Sequence, residues 1–213
     1  MFTNCSISPE SILKSGPVIP VLVENDINNA IEITKALLAG NVKVIEVTLR
    51  TPNSLKIIES LSHEFPEAIV GAGTVTNMRQ FAAAEMAGAK FCISPGSSNE
   101  LLMGAMQGNT PLIPGVSTVS EAMCARNIGY KVLKFFPAEA AGGPKVLSSI
   151  AGPFPDLLFC PTGGININNA PTYLNLANVL CVGGSWLVPS EAVKNQDWQQ
   201  ITSLAAETSE LCA

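Results

Sequence analysis

A chain of 213 residues forms one large domain or two small ones, and 47% hydrophobic against 14% charged residues leaves ample material for a core. A net charge of -5 with 12 scattered Lys and Arg argues against a nucleic-acid footprint, and no run of 18 apolar residues supplies a membrane span. Residues 1–14 are polar throughout and hold no apolar run, so no secretory signal is expected and a cytoplasmic location is the simplest.

Ser8-Pro9-Glu10 reads as an N-cap with proline at the first helical position, opening a short helix that stops near Gly16. The first strand is Val18–Val23. Asp26 caps a helix that Gly40 closes, and the second strand runs Lys43–Arg50. Thr51-Pro52 opens a helix with Leu55, Ile58 and Leu61 on one side. The third strand, Ala68–Thr74, is followed by a helix over about Thr76–Ala87. The fourth, Lys90–Ser94, runs into Pro95-Gly96, and the short fifth, Pro111–Ile113, into Pro114-Gly115. Thr118-Val119-Ser120-Glu121 fits a capping box. The sixth strand is centred on Lys134. Leu157–Cys160 and Val179–Ser185 are the seventh and eighth, each with a helix after it.

Eight short apolar strands thus alternate with helices at intervals of about 20 to 26 residues, which implies parallel βαβ units and a (β/α)8 barrel over residues 1–213 as a single domain. An open doubly wound sheet is the alternative, weakened because no G-x-G-x-x-G opens the first helix. The six cysteines form no C-x-x-C pair and His63 is the single histidine, so a zinc site of the usual N and S ligands is not expected. Any carbonyl chemistry here falls to organic groups.

Those groups are visible at the strand ends, where a barrel keeps its active site. In Val132-Leu133-Lys134-Phe135-Phe136, Lys134 shares a face with Val132 and Phe136 by the period of two. Desolvation there disfavours the ammonium, and a neutral amine attacks carbonyl carbon to form a Schiff base. The alternative is a lysine that snorkels to water. In the second strand Glu46, Thr48 and Arg50 share a polar face, while Ile45, Val47 and Leu49 suit a helix layer. A Glu46–Arg50 ion pair would satisfy both charges. Separate roles would have Arg50 bind a substrate carboxylate and Glu46 move protons. The rims Thr162-Gly163-Gly164 and Gly183-Gly184-Ser185 follow the last two strands, where barrels often bind phosphate through exposed N–H groups; glycines at tight turns would look the same.

Together these stretches resemble the family of 2-keto-3-deoxy-6-phosphogluconate (KDPG) aldolase, also active as 4-hydroxy-2-oxoglutarate aldolase, of the Entner–Doudoroff pathway. The motifs are Gly16-Pro17-Val18-Ile19-Pro20-Val21, Glu46-Val47-Thr48-Leu49-Arg50-Thr51, Val70-Gly71-Ala72-Gly73-Thr74-Val75, Ile93-Ser94-Pro95-Gly96, Leu112-Ile113-Pro114-Gly115-Val116-Ser117-Thr118, Lys134-Phe135-Phe136-Pro137-Ala138-Glu139, Cys160-Pro161-Thr162-Gly163-Gly164-Ile165 and Gly183-Gly184-Ser185-Trp186. The resemblance implies a homotrimeric class I aldolase with a TIM barrel, neither metal nor cofactor, and a phosphorylated 2-keto acid as substrate.

It also implies roles. Lys134 is the Schiff-base lysine and Glu46 the proton-transferring carboxylate. Arg50 and Thr74 hold the pyruvyl carboxylate. Pro95 and Phe136 line the pocket, and Thr162 lies near the substrate hydroxyls. Gly163, Gly164, Gly184 and Ser185 contact the phosphate. Some wider relatives carry an arginine near the end of the first strand. Val23-Glu24 stands there in this chain, which leaves the phosphate to neutral donors.

Overall fold

The computed structural model describes residues 7–212; Cys5 and the rest of residues 1–6 lie outside that range. Helix α1 (Pro9–Leu13) begins as expected: the Ser8 hydroxyl accepts the Ser11 N–H at 3.0 Å and proline takes the first position. Strands β1 (Val18–Leu22), β2 (Val44–Thr48), β3 (Ile69–Gly73), β4 (Cys92–Ile93) and β5 (Leu112–Ile113) then alternate with α2 (Ile27–Ala39), α3 (Ser54–Glu64), α4 (Met78–Met86) and α5 (Asn99–Ala105). There follow β6 (Gly115–Val116), α6 (Val119–Ile128), β7 (Val132–Phe135), α7 (Gly143–Ala151), β8 (Leu158–Pro161), α8 (Ala170–Leu174), β9 (Val182–Gly184), α9 (Ser190–Lys194) and α10 (Trp198–Ser209).

Every strand pairing is parallel. One sheet runs β5-β4-β3-β2-β1-β9 and the other β6-β7-β8. The architecture is α/β, with parallel strands in a curled sheet covered by helices. Two of the strands correct the expectation of a fifth strand ending at Pro114-Gly115. The chain continues through Gly115 and Val116, which pair with Lys134 and Phe135. Proline has no N–H to give the ladder, so the strand is split at Pro114, whose carbonyl still accepts the Lys134 N–H at 2.9 Å. Parallel bridges Phe159↔Val179 and Thr162↔Gly183 join the β8 side to the segment of β9. The sequence pattern predicts no helix at α9, because five residues are too few for a periodic signal.

Side-chain alternation sorts the strands into two cores. Ile45, Val47, Leu133 and Phe135 join the larger cluster with helix residues such as Ile33, Leu37, Ile58 and Leu147. On the other face Ile19, Val44, Ile93, Ile113, Val132, Cys160 and Cys181 pack together with Ile12 and Leu13 of α1, both fully buried. Helix α1 therefore plugs the N-terminal ends of the strands with apolar bulk. The polar inward residues of β2 and β7 lie beyond that plug, toward the C-terminal ends.

Candidate active site

Val44 and Val132 belong to the inner apolar layer, and the next inward positions on the same strands are Glu46 and Lys134. Both are buried, Glu46 at 1% exposure and Lys134 at 5%, and Lys134 Nζ donates to Glu46 Oε1 at 3.2 Å. The lysine therefore does not snorkel. Glu46 pairs with Lys134 rather than with Arg50, so each buried charge has its opposite. The ring of Phe136 lies 5.6 Å from Nζ, a cation–π distance that further holds the amine inward. Glycine makes the room: a Cβ on Gly73, in the neighbouring strand, would lie 2.6 Å from Glu46 Cγ.

Arg50 stands past the end of β2 and is exposed. Its Nε donates to Thr74 Oγ1 at 3.2 Å, and among the described residues it makes no ion pair. Its remaining donors are thus open to an anion. Thr74 has φ +59°, a left-handed conformation that costs a β-branched residue about 1–3 kcal/mol, and strain of this kind gathers at functional sites. Thr48, on the same polar face, is satisfied by the Leu22 carbonyl at 3.0 Å.

A cavity of about 220 Å³ opens at the strand ends. Arg50, Phe136, Thr162, Gly163, Gly164, Gly184 and Ser185 line it, together with Val21 and Val23. Pro95 and Thr74 do not line it: Thr74 touches Arg50, and half-buried Pro95 follows β4. Thr162 is 7% exposed, and among the described residues its buried Oγ1 has no hydrogen-bond partner, an open valence in a residue that lines the cavity. Glu24 turns its carboxylate onto its own loop, accepting the N–H groups of Asn25 at 2.6 Å and Asp26 at 2.9 Å. A second cavity, of about 460 Å³, adjoins through Val21, Val23 and Ser185, walled by Ile33, Val188 and Val193.

Several residues that shape this site carry no signal in the sequence that the strand and rim pattern could have found. Gly73 is one. Glu139, Tyr173 and Asn169, which hold the loop at Thr162–Gly164, are others.

Comparison with known proteins places this geometry in context. The family model "Aldolase: KDPG and KHG aldolase" matches residues 9–204. The KHG/KDPG aldolase of Escherichia coli is 54% identical over 207 residues, 97% of each chain. The 2-dehydro-3-deoxy-phosphogluconate aldolase of Pseudoalteromonas atlantica is 51% identical over 207 residues, 97% of this chain and 96% of its own. The crystal structure of KDPG aldolase from Legionella pneumophila, with pyruvate captured at low pH as a covalent carbinolamine intermediate, is 49% identical. It superposes with a TM-score of 0.94 over 95% of this chain and 98% of that one.

Proposed function

The chain belongs to the KDPG and KHG aldolase family, and on that premise we propose how its residues divide the reaction. The activity is class I aldol cleavage, a carbon–carbon lyase reaction through a covalent amine adduct. Its substrate 2-dehydro-3-deoxy-6-phosphogluconate yields pyruvate and glyceraldehyde 3-phosphate. The same site splits 4-hydroxy-2-oxoglutarate into pyruvate and glyoxylate, as the double name of the Escherichia coli relative suggests.

Lys134 Nζ, relieved of a proton by Glu46, attacks the C2 carbonyl carbon. The carbonyl oxygen takes that proton back from Glu46 and a second from the attacking nitrogen and leaves as water, which gives a protonated imine and returns Glu46 to its carboxylate form. Glu46 then takes the C4 hydroxyl proton. The C3–C4 bond breaks, its electron pair flows into the imine, and the aldehyde departs from an enamine. Glu46 returns a proton to C3, and water hydrolyses the pyruvyl imine to free Lys134. The single observation that carries this reading is the buried contact of 3.2 Å between Lys134 Nζ and Glu46 Oε1. It puts one nucleophile and one proton carrier within a hydrogen bond of each other, as acid–base catalysis requires.

The substrate runs upward from that pair. Arg50 holds the carboxylate beside the keto group, with Thr74 fixing the guanidinium. Phe136 and Pro95 bound the pyruvyl half, and Thr162 meets the hydroxyls. Gly163, Gly164, Gly184 and Ser185 receive the phosphate. The lining of the cavity and the unpartnered Thr162 hydroxyl support this order.

The two parallel bridges between the β8 and β9 sides, and the single-residue gap between β5 and β6, support a closed (β/α)8 barrel as one domain over residues 1–213. A homotrimer in the cytoplasm completes the reading. Exposed Met86, Met103 and Met123 give an assembly apolar surface to cover, and light scattering of the purified protein reads the copy number.

Borohydride reduction in the presence of pyruvate, followed by peptide mass spectrometry, tests the mechanism. The expected result is a single reduced pyruvyl adduct on Lys134. Full turnover with Lys134 unmodified under trapping conditions would refute it.

A further inference from the structure

The loop that walls the distal end of the cavity is held from behind. The Thr162 carbonyl accepts the Ala138 N–H at 2.8 Å, and the Gly163 carbonyl accepts the Glu139 N–H at 3.1 Å. The Gly164 carbonyl accepts Asn169 Nδ2 at 3.0 Å. All three acceptors of the turn are therefore occupied by residues that do not line the cavity. Among the described residues the Gly164 N–H donates to no protein acceptor, while the parallel bridge Thr162↔Gly183 turns the Gly163 N–H toward the Gly183 carbonyl. Both glycines, at φ +104° and +79°, line the cavity, and Gly164 keeps a backbone donor without a protein partner. A backbone N–H left open in a glycine turn is a donor for an anion.

Glu139 is what the turn leans on. A Cβ on Gly164 would lie 2.7 Å from Glu139 Cγ and 2.8 Å from its Cβ, so the loop backbone is pressed directly against that side chain. The Glu139 carboxylate is in turn gripped by the Tyr173 hydroxyl, which donates to Oε1. Tyr173 belongs to α8 and is fully buried, so its hydroxyl is an anchor with little freedom. Burial first, and then the bond to Glu139, raise the phenol above its usual range, which keeps it a donor at working pH. Neither side chain lines the cavity.

We infer that Glu139 and Tyr173 are positioning residues for the phosphate-bearing end of the substrate: the Tyr173 hydroxyl fixes the Glu139 carboxylate, and Glu139 fixes the Gly163–Gly164 turn whose open Gly164 N–H receives the anion. This rests on the proposed phosphate site and adds what sets its geometry. The pair acts through backbone alone, so the pyruvyl half, held by Lys134 and Arg50 on other strands, is untouched.

The test compares KM for 2-dehydro-3-deoxy-6-phosphogluconate with KM for 4-hydroxy-2-oxoglutarate, which carries no phosphate. In Tyr173→Phe and Glu139→Ala the ratio of the two is expected to rise about tenfold, the effect of one charge-assisted hydrogen bond. Glu139→Gln, which keeps the acceptor and the packing, should stay within about twofold of the parent. An unchanged ratio, or both KM values rising together, overturns the inference. If Tyr173→Phe does not fold, the solvent-exposed Glu139 still supplies the measurement through its two variants. Ser185→Ala and competition by inorganic phosphate separate this inference from its premise. If neither discriminates against the phosphorylated substrate, the phosphate site itself is wrong. If both do while the Glu139 and Tyr173 variants leave the ratio alone, only the positioning role falls.

Discussion

Gly73 has no side chain where Glu46 needs space: a Cβ on this glycine would lie 2.6 Å from Glu46 Cγ and 2.7 Å from Cδ. The proposed proton carrier therefore depends on a neighbouring strand for its place. Gly73→Ala should displace the Glu46 side chain, and displacement of about 1 Å is enough to cost about a hundredfold in rate. Overpacking adds roughly 1–3 kcal/mol of destabilisation. Turnover and urea midpoint measured together check this. A variant with parental kcat would mean that Glu46 has slack the structure does not show.

Arg50 and Ser185 line the same cavity, and on the proposed orientation of the substrate they should fail differently. Arg50→Ala removes a charged donor set and is expected to weaken pyruvate binding by about 1.5–3 kcal/mol, while Ser185→Ala leaves pyruvate binding near the parent. Ser185→Ala should instead erase most of the preference for phosphorylated substrate. Titration with pyruvate and KM values for the two substrates give both numbers. Equal losses in both variants would invalidate the polarity assigned to the substrate.

Glu46→Gln keeps the shape of the side chain and a hydrogen-bond acceptor for Lys134 but cannot carry a proton. The expected fall in kcat is about 10²- to 10⁴-fold, the usual worth of a general acid–base group. Exchange of the pyruvate methyl protons with deuterated solvent, which needs only imine formation and proton movement at C3, should slow in parallel. Exchange at the parental rate would assign the proton transfer to another group.

Outside the site, the capping box of α6 predicts a pH effect. The Ser117 N–H donating to Glu121 at 2.7 Å, with further help from Thr118 and the Ser117 hydroxyl, holds this carboxyl below its ordinary value of 4.5. Above pH 4.5 both folded and unfolded states are ionised and the stabilisation is complete. As pH falls further the unfolded chain takes up the proton first, so stability declines until the folded carboxyl is also protonated. Glu121→Gln should flatten this acid limb. Thr118→Ala, which removes the cap itself, should cost about 1 kcal/mol at neutral pH. Denaturant unfolding between pH 3 and 7 reads both; an unaltered acid limb in Glu121→Gln would remove Glu121 from the account.

How much of this was readable in the chain depends on what each feature needs. The faces of β2 and β7 follow from alternation alone: Ile45 and Val47 go to the helix layer, as do Leu133 and Phe135, while Glu46 and Lys134 go inward. The cap at Ser8, the capping box at Thr118 and Glu121 and the glycine rims are local too, because a hydrogen bond across three or four residues is written in adjacent letters. The split at Pro114 was open to inference from its missing N–H, yet where the strand resumed depended on the pairing of Gly115 and Val116 with β7.

By itself the order of residues determined which side chains share a face, and that a lysine, a carboxylate and an arginine stand near strand ends. Only the tertiary structure decided who meets whom. It gave Glu46 to Lys134 instead of Arg50, opened Gly73 to make room, and braced the Gly163–Gly164 turn on Glu139 and Tyr173. Alternation and capping act over a few residues of one chain segment, whereas these contacts join segments far apart, and nothing in a local pattern encodes the distance between them.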